Sequence, residues 1–300
     1  MGGVRARQVS GCQLHQRRRA AGADTRLSLR TGGFLVPVSA SLHRAPMTYD
    51  GRHHEHFEEH GYVRLGQLLS ASELSALRER IDALMLGRIA TEGITFQLDG
   101  EGDEYADLPA HALGSPKETL AYRRVDELHQ DGLFLAYMQH PVCRQITRRY
   151  IGEDVSVFRS MFMNKPANSG TVLPWHQDVG VGWGLDRNPT TTVWTALDDA
   201  TTATGCMQIV PGSHRLGVLN EGHYTREEDQ AFHCADDKVM DFEAEAGEAI
   251  LIHNWLLHRS GVNGTDRPRR AFSVAYMPAA TTNVSTGERF PVIFGKGALQ

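Results

Sequence analysis

Two hydrophobic periods follow one another along this chain, a helical period in the first half and a strand period in the second. Ser70-Ala71-Ser72-Glu73 has the spacing of a capping box, in which the Ser and Glu side chains bond to each other's backbone N–H groups. The apolar positions after it recur at intervals of three or four residues, as on one face of a helix: Leu74, Leu77, Ile81 and Leu84. A short strand is expected over residues 61–65, and a helical pattern returns through about residues 118–150.

Beyond residue 150 the pattern changes to short alternating runs that are rich in β-branched and aromatic residues. Turn-forming residues separate these runs, which predict the strands Val155–Met163, Thr191–Leu197, Met207–Val210, Ala249–His253 and Ala271–Tyr276. Helices followed by many short strands predict an α+β fold built on a sandwich or double-sheet barrel. We expect residues 87–119 to be an irregular acidic loop and residues 220–238 to be an acidic insertion between strands.

Composition divides the chain at residue 46. Residues 1–46 hold eight Arg, no Lys and one acid, Asp24, and have no sustained periodicity, so we predict that they are disordered. They are either an organelle transit peptide or an upstream extension of the reading frame that makes Met47 the natural start, and we prefer the second. Residues 47–300 then form one domain, expected in the cytoplasm unless the first segment directs import.

The charge of the body limits its partners. The whole chain carries −5 and residues 1–46 carry +7, so residues 47–300 carry −5 − 7 = −12. This argues against nucleic acid or an anionic membrane surface as the main partner, and no apolar run reaches the ~20 residues that span a bilayer. The four cysteines form no C-x-x-C pair, which favours free thiols in a reducing compartment. We expect a small-molecule substrate, and either a monomer or a homodimer.

The candidate chemistry begins at Pro174-Trp175-His176-Gln177-Asp178. On an extended strand, residues two apart point to the same face, so His176 and Asp178 can bind one metal ion. About one H-x-D pattern is expected by chance in this composition, and a second copy, His129-Gln130-Asp131, lies in a helical context. Pro174 favours an extended backbone at the first copy, so we interpret only that copy as a metal site.

A third ligand is sought among the downstream histidines, which are His214, His223, His233, His253 and His258. His258 is preferred because the segment from His258 to Arg269 has the pattern of strand, turn and strand. That arrangement would turn the imidazole and the guanidinium toward one cavity. Two His and one carboxylate suit non-haem Fe(II), and Arg suits the paired oxygens of a carboxylate.

These motifs resemble the phytanoyl-CoA dioxygenase family of Fe(II)- and 2-oxoglutarate-dependent oxygenases. The resemblance covers about residues 56–280. It is carried by Gly61-Tyr62-Val63, Met163-Asn164-Lys165-Pro166, PWHQD, Gly205-Cys206-Met207-Gln208, PGSH at Pro211–His214, and the pair of His258 and Arg269. Each motif is weak alone, and their common order and spacing are specific.

The resemblance implies a double-stranded β-helix, a relative of the jelly roll and cupin, with flanking helices. It implies that His176, Asp178 and His258 bind iron. The residues that match the 2-oxoglutarate site are Arg269, Ser260, Trp194, Met161 and Arg124, the last where the family's namesake has Lys. It further implies hydroxylation, with O2 consumed and succinate and CO2 released.

Two other classes of function remain open at this point. One is a non-catalytic jelly-roll module that binds a small ligand, and the other is a zinc hydrolase, since His, Asp and His also suit catalytic Zn²⁺. The hydrolase leaves Arg269 and Ser260 without a role. The acidic body predicts no basic patch for a coenzyme A thioester, so we expect a small metabolite or a lipid-like acid as the substrate.

Overall fold

The computed structural model describes residues 47–90, 92–100, 109–115, 117–219 and 224–300. By its internal contacts the chain divides into residues 1–44 and 45–300, and every described residue belongs to the second unit. The segment 1–46 lies outside the described residues, so its disorder stays a prediction. Residues 101–108 of the predicted irregular acidic loop also lie outside the described residues.

Five α-helices are described, together with short 3-10 turns. Their bounds are α1 Gly51–His60, α2 Ala71–Met85, α3 Gly132–Met138, α4 Pro141–Tyr150 and α5 Glu227–His233. The capping box at α2 is confirmed: the Glu73 N–H donates to Ser70 Oγ at 3.3 Å, and the Ser70 N–H donates to Glu73 Oε2 at 2.8 Å. The predicted apolar face of α2 is buried.

Thirteen described strands form two antiparallel sheets. Their bounds are β1 Tyr62–Gln67, β2 Thr95–Leu98, β3 Ala112–Leu113, β4 Tyr122–Asp126, β5 Val155–Lys165, β6 Leu173–His176, β7 Thr191–Ala196, β8 Met207–Ile209, β9 Met240–Phe242, β10 Glu248–Ile252, β11 His258–Ser260, β12 Arg269–Pro278 and β13 Val292–Phe294. The large sheet has the order β1-β10-β7-β12-β5-β4-β2-β3, with β13 added beside β5, and the small sheet has the order β6-β11-β8-β9. The predicted α+β class and jelly-roll core are confirmed.

Strand β12 shows how the layers are stacked. Phe272 and Val274 point to one face, where they join the core formed with α2, α3 and α4. Ala271 points to the other face and packs with side chains of the small sheet. Arg269 has the same parity as Ala271, so the alternation of the strand turns it toward the space between the sheets.

A β-bulge changes the facing of strand β5. Val157 pairs with Tyr276 of β12, but Arg159 pairs with the preceding residue, Ala275, so Phe158 is an extra residue in β5. Before the bulge, Val157 belongs to the core beneath the helices. After it, Arg159 and the odd-numbered residues up to 165 line the space between the sheets. Bulges re-aim side chains in this way beside functional sites.

Two parts of the secondary-structure prediction were wrong. Residues 122–126, predicted as helix, form strand β4, because Tyr122 and Val125 are buried when β4 pairs with β2 and β5. The predicted irregular loop at 87–119 contains β2 and β3. The acidic insertion at 220–238 carries α5, and residues 220–223 lie outside the described part. Among the described helices, none has both the length and the apolar character that a membrane span requires.

Gly205 lies in a close approach of two backbone segments at the end of the small sheet, just before β8 and just after β11. Its φ is +73°, and an added Cβ would lie 2.6 Å from the Val262 carbonyl oxygen. Gly66 has a similar φ of +70° with nothing within 4 Å of the added atom. Gly66→Ala should therefore cost only the left-handed backbone penalty of about 1–2 kcal/mol. Gly205→Ala should cost about 1–3 kcal/mol more, because backbone must move.

Urea unfolding of the two variants and the native protein would measure both costs. Equal destabilisation by the two substitutions would contradict the close approach of Gly205 to the 261–262 backbone.

Candidate metal centre

Two strands of the small sheet bring the candidate ligands together. His176 ends β6 and His258 begins β11, and the two residues are direct partners in the antiparallel register. Their ring centroids lie 4.1 Å apart. The Asp178 carboxylate lies beside both rings, 3.9 Å from His176 Nε2 and 3.8 Å from His258 Nε2. The candidate ligand atoms all lie within 4.8 Å of one another, as one metal ion requires.

The backbone orients both imidazoles. His176 Nδ1 lies 2.8 Å from the Pro174 carbonyl oxygen, and His258 Nδ1 lies 2.9 Å from the Leu256 carbonyl oxygen. A carbonyl can only accept, so each Nδ1 is the donor, and Nε2 is the ring nitrogen that faces the centre of the cluster and is available to a metal ion. A second bond of this kind fixes the tautomer of metal-binding histidines in general.

Asp178 is held by the loop that precedes β11. Its N–H donates to the Asn254 carbonyl oxygen at 2.7 Å, and Asn254 Nδ2 donates to the Asp178 carbonyl oxygen at 3.2 Å. Asp178, the second residue after the end of β6, is thereby bonded to the segment that leads to His258. The carboxylate keeps its place opposite the two imidazoles through these backbone bonds.

The other histidines considered in the sequence lie elsewhere. His129 is in a 3-10 turn, with its N–H donating to Ser160 Oγ, and Asp131 caps α3, so this second H-x-D copy is not part of the cluster. His253 packs beside Phe57 and His214. Burial, followed by the nearby His214, lowers the pKa of His253 to about 3. His223 lies outside the described residues.

The cavity between the sheets continues from the three candidate ligands to Arg269. Its empty volume, which includes open solvent at the mouth, is about 910 Å³. Arg269 is 4% exposed, and its Nη2 donates to the Gly205 carbonyl oxygen at 2.7 Å. Its Nε–H is buried and has no hydrogen-bond partner among the described residues. Burial lowers the pKa of Arg269 to about 10, so the group is charged at neutral pH and its unused N–H suits an anionic ligand.

The remaining predicted site residues border the same cavity. Ser260 on β11, Trp194 on β7 and Met161 on β5 are buried there. Trp194 Nε1 is a second buried donor that lacks a partner in the described part of the chain. Arg124 on β4 also lines the cavity, but two of its nitrogens donate to the Asp126 carboxylate, each at 2.7 Å.

Sequence reasoning missed four cations among the described residues that line this cavity, which are Arg123, Arg159, Lys165 and Arg259. Lys165 pairs directly with Arg269 across β5 and β12, is 6% exposed, and donates from Nζ to the Thr171 carbonyl oxygen at 2.8 Å. Burial, then Arg269 and Arg123, lowers the pKa of Lys165 to about 7. Arg159 lies on the same face of β5. Alternate residues of a strand face the same side, so the assignment of Met161 to the site would have predicted that Lys165, four residues later, faces it too.

A jelly roll with two imidazoles and a carboxylate on the small sheet defines a non-haem metal oxygenase class, and comparisons with known proteins agree. The family model of phytanoyl-CoA dioxygenase (PhyH) matches residues 57–271. A probable phytanoyl-CoA dioxygenase of Caenorhabditis elegans is 26% identical over 237 residues, which is 73% of this chain and 72% of the relative. The human peroxisomal phytanoyl-CoA dioxygenase is 24% identical over 74% of this chain and 67% of the relative.

Solved structures show the same architecture. SnoK, a non-haem α-ketoglutarate-dependent carbocyclase from nogalamycin biosynthesis, has a TM-score of 0.62 and 25% identity, with 80% of this chain and 89% of SnoK covered. EctD from S. alaskensis, solved with 2-oxoglutarate and 5-hydroxyectoine, has a TM-score of 0.64 at 21% identity over 89% and 90% of the two chains, which is a likeness of fold.

The chain belongs to the phytanoyl-CoA dioxygenase family, and the resemblance seen in its motifs is confirmed. It is an Fe(II)- and 2-oxoglutarate-dependent oxygenase. The two alternatives, a binding module and a zinc hydrolase, therefore do not describe it.

His253 and His258 provide a matched pair for testing the ligand set. Loss of residues that only support a metal ligand costs about 10–100-fold in affinity, so His258→Ala, which removes a candidate ligand, should weaken metal binding by at least about 100-fold. His253→Ala removes a half-buried imidazole outside the cluster and should leave metal affinity within about threefold of native while lowering stability.

Calorimetric titration of the metal-free proteins with Ni²⁺, an air-stable substitute for Fe(II), would measure both affinities. The ligand assignment fails if His253→Ala loses the metal and His258→Ala keeps it.

Proposed function

We propose that this protein hydroxylates a small metabolite or lipid-like acid, with 2-oxoglutarate as cosubstrate and succinate and CO2 as co-products. The observation that carries the proposal is a single cavity with His176, Asp178 and His258 on the small sheet and the buried, incompletely bonded Arg269 on the large sheet. One end of the cavity suits a metal ion and the other suits a carboxylate. 2-Oxoglutarate, a five-carbon diacid, has a keto group beside one carboxylate that can bind a metal ion, and a second carboxylate that can bind an Arg.

The donor set supports iron as the metal. Two neutral imidazole nitrogens and one carboxylate, all on one side, are the ligands of non-haem Fe(II) oxygenases and leave positions open for cosubstrate and O2. Fe(II) held there supplies the redox chemistry that couples oxidation of 2-oxoglutarate to oxygenation of the substrate. The roles of His176, Asp178 and His258 are to bind the ion and to confine its open positions to the cavity.

At the other end, we assign the distal carboxylate of 2-oxoglutarate to Arg269. The unused Nε–H and the Nη nitrogens form a planar fork that matches two carboxylate oxygens. The Ser260 hydroxyl lies on the adjacent strand and lines the same space, so it is our candidate for an added hydrogen bond. Lys165, the strand partner of Arg269, adds charge beside that carboxylate.

Trp194 and Met161 have packing roles in this proposal. Both are buried and line the cavity between the candidate metal and Arg269, so they would exclude water along the cosubstrate chain. A dry cavity strengthens the attraction between fixed charges and the bound anion. Arg124 is engaged with Asp126, so we assign it to the wall of the cavity rather than to a direct bond with 2-oxoglutarate.

Succinate formation tests the proposed function directly. Anaerobic protein given Fe(II), 2-oxoglutarate and then air should release succinate slowly even without a primary substrate, and Asp178→Ala should reduce the rate at least about 100-fold because the ion loses a ligand. The matched control is Asp186→Ala, a carboxylate outside the cavity.

Native protein that forms no succinate and also fails to bind 2-oxoglutarate in the presence of Ni²⁺ would refute the proposal. Mass spectrometry of the product would separate hydroxylation, which adds one oxygen atom, from a ring-forming outcome of the kind named for SnoK.

Lys165 predicts a pH dependence of cosubstrate binding. Its pKa is lowered to about 7, so the ammonium is present below that pH and is lost above it. An anion binds better to the charged form, so affinity for 2-oxoglutarate should fall as pH rises through 7, and binding above pH 7 should take up a proton. Lys165→Met should abolish this dependence, whereas Lys296→Met, at an exposed position, should retain it.

Calorimetry of the Ni²⁺-loaded protein in buffers of different ionisation heat would measure the affinity and the proton uptake together. A native profile as flat as that of Lys165→Met would contradict this role for Lys165.

A further inference from the structure

Two cationic side chains lie side by side at the Arg269 end of the cavity. Lys165 of β5 and Arg269 of β12 are direct partners in the antiparallel register, and both line the cavity. The Cβ atoms of such partners lie about 4.5–5.5 Å apart on one face of a sheet, and like charges in these positions repel. Lys165 is 6% exposed and Arg269 is 4% exposed, so solvent screens this repulsion only weakly.

The amine of Lys165 is held in one place. Its Nζ donates to the Thr171 carbonyl oxygen at 2.8 Å. The backbone of Gly170 lies against the lysine side chain, because a Cβ added to Gly170 would be 3.0 Å from Lys165 Cβ and 3.1 Å from its Cγ. The side chain is thereby confined by the segment that follows β5, and its amine remains in the cavity.

The surroundings of Lys165 favour its neutral form. Burial, then the positive charges of Arg269 and Arg123, lowers the pKa of Lys165 to about 7. The Asp99 carboxylate acts in the opposite direction, and its Oδ1 accepts from Thr171 Oγ1 at 2.6 Å. Near pH 7 about half of the molecules therefore carry an uncharged amine with a free lone pair.

Arg269 provides the partner that an anion on this amine would need. Its Nη2 donates to the Gly205 carbonyl oxygen at 2.7 Å, whereas its buried Nε–H has no hydrogen-bond partner among the described residues. A planar carboxylate fits the edge of a guanidinium through paired donors. A carboxylate group attached to Lys165 would therefore replace a repulsive pair of cations with an attractive ion pair.

We propose that Lys165 is a carbon dioxide site: its neutral amine adds to CO2, and the resulting carbamate binds to Arg269, where we assign the distal carboxylate of 2-oxoglutarate. The nitrogen lone pair forms the new N–C bond, one C–O π pair moves onto oxygen, and one N–H proton leaves to solvent. The carbamate nitrogen keeps one hydrogen, which can still donate to the Thr171 carbonyl oxygen. The step involves no change of oxidation state.

The carbamate and the cosubstrate exclude each other in this scheme, since both use Arg269. The proposed reaction releases CO2 in the same cavity, so its own product modifies Lys165 and closes the site to the next 2-oxoglutarate. Loss of CO2 restores the amine. This regulatory effect rests on the proposed function, whereas formation of the carbamate does not.

¹³C NMR of the protein loaded with Zn²⁺, a diamagnetic ion, tests for the carbamate directly. With ¹³C-labelled bicarbonate in equilibrium with CO2, native protein should show a carbamate carbonyl resonance that Lys165→Met lacks. The chain has four lysines, and the other three are exposed: Lys117, Lys238 and Lys296. Lys296→Met, the matched control, should keep the resonance. Esterification with a trialkyloxonium salt, followed by peptide mass spectrometry, locates the carbamate without any variant.

Calorimetric titration of 2-oxoglutarate into the same samples measures the competition. When half of Lys165 is modified, the apparent Kd of the native protein should rise about twofold, because only the unmodified half can bind. In Lys165→Met, bicarbonate should have no more effect than the same ionic strength of chloride.

Two results would overturn the proposal. One is native protein with no carbamate on Lys165 at saturating bicarbonate, and the other is a carbamate on Lys165 that leaves the affinity for 2-oxoglutarate unchanged. Native protein that fails to bind 2-oxoglutarate in chloride alone would refute the proposed function instead, and the resonance would still decide whether the carbamate forms.

Discussion

The pairing of β6 with β11 is the constraint on which the metal centre depends. His176 and His258 are 82 positions apart in sequence, and only the antiparallel register makes them direct neighbours. Each imidazole then bonds through Nδ1 to the carbonyl two residues earlier in the chain, Pro174 on β6 or Leu256 just before β11, so the local backbone orients both rings. The position of Asp178 depends on the same strand pairing, because its backbone N–H donates to the Asn254 carbonyl oxygen in the loop before β11.

The large sheet contributes cationic side chains to the cavity, and the register of β5 and β12 sets where along the cavity they lie. β5 and β12 pair Lys165 with Arg269 at one end, and Arg159, six residues earlier in the same register, faces the cavity at the other. In a regular strand Val157 would share the face of Arg159. The one inserted residue, Phe158, instead lets Val157 join the core beneath the helices while Arg159 faces the cavity.

The sequence predicted the fold wherever the signal was local. The capping box at Ser70 and the alternation of β5, β7, β10 and β12 needed only neighbouring residues, and each element formed as predicted. The prediction of helix was wrong for β4. Tyr122 and Val125 have a helical spacing, and their burial depends on strand partners far along the chain. The ligand triad could be proposed because its order matches a known family. Lys165 could not be singled out, because its importance comes from a cross-strand partner 104 positions away.

Net charge was the least informative property of the sequence, and the reason is physical. A total of −12 for the body adds all charges without regard to position, whereas a ligand responds to those within a Debye length of about 10 Å or less. Inside the cavity the screening by solvent is weaker, so a bound ligand responds to the charged residues that line it, such as Arg269, more than to the remote acids of the body. Burial of Arg269 and Lys165 lowers the pKa of each, which shows that the protein without its ligands holds these charges at a cost. Anionic ligands relieve that cost when they bind, so they should stabilise the folded chain as well as serve the reaction.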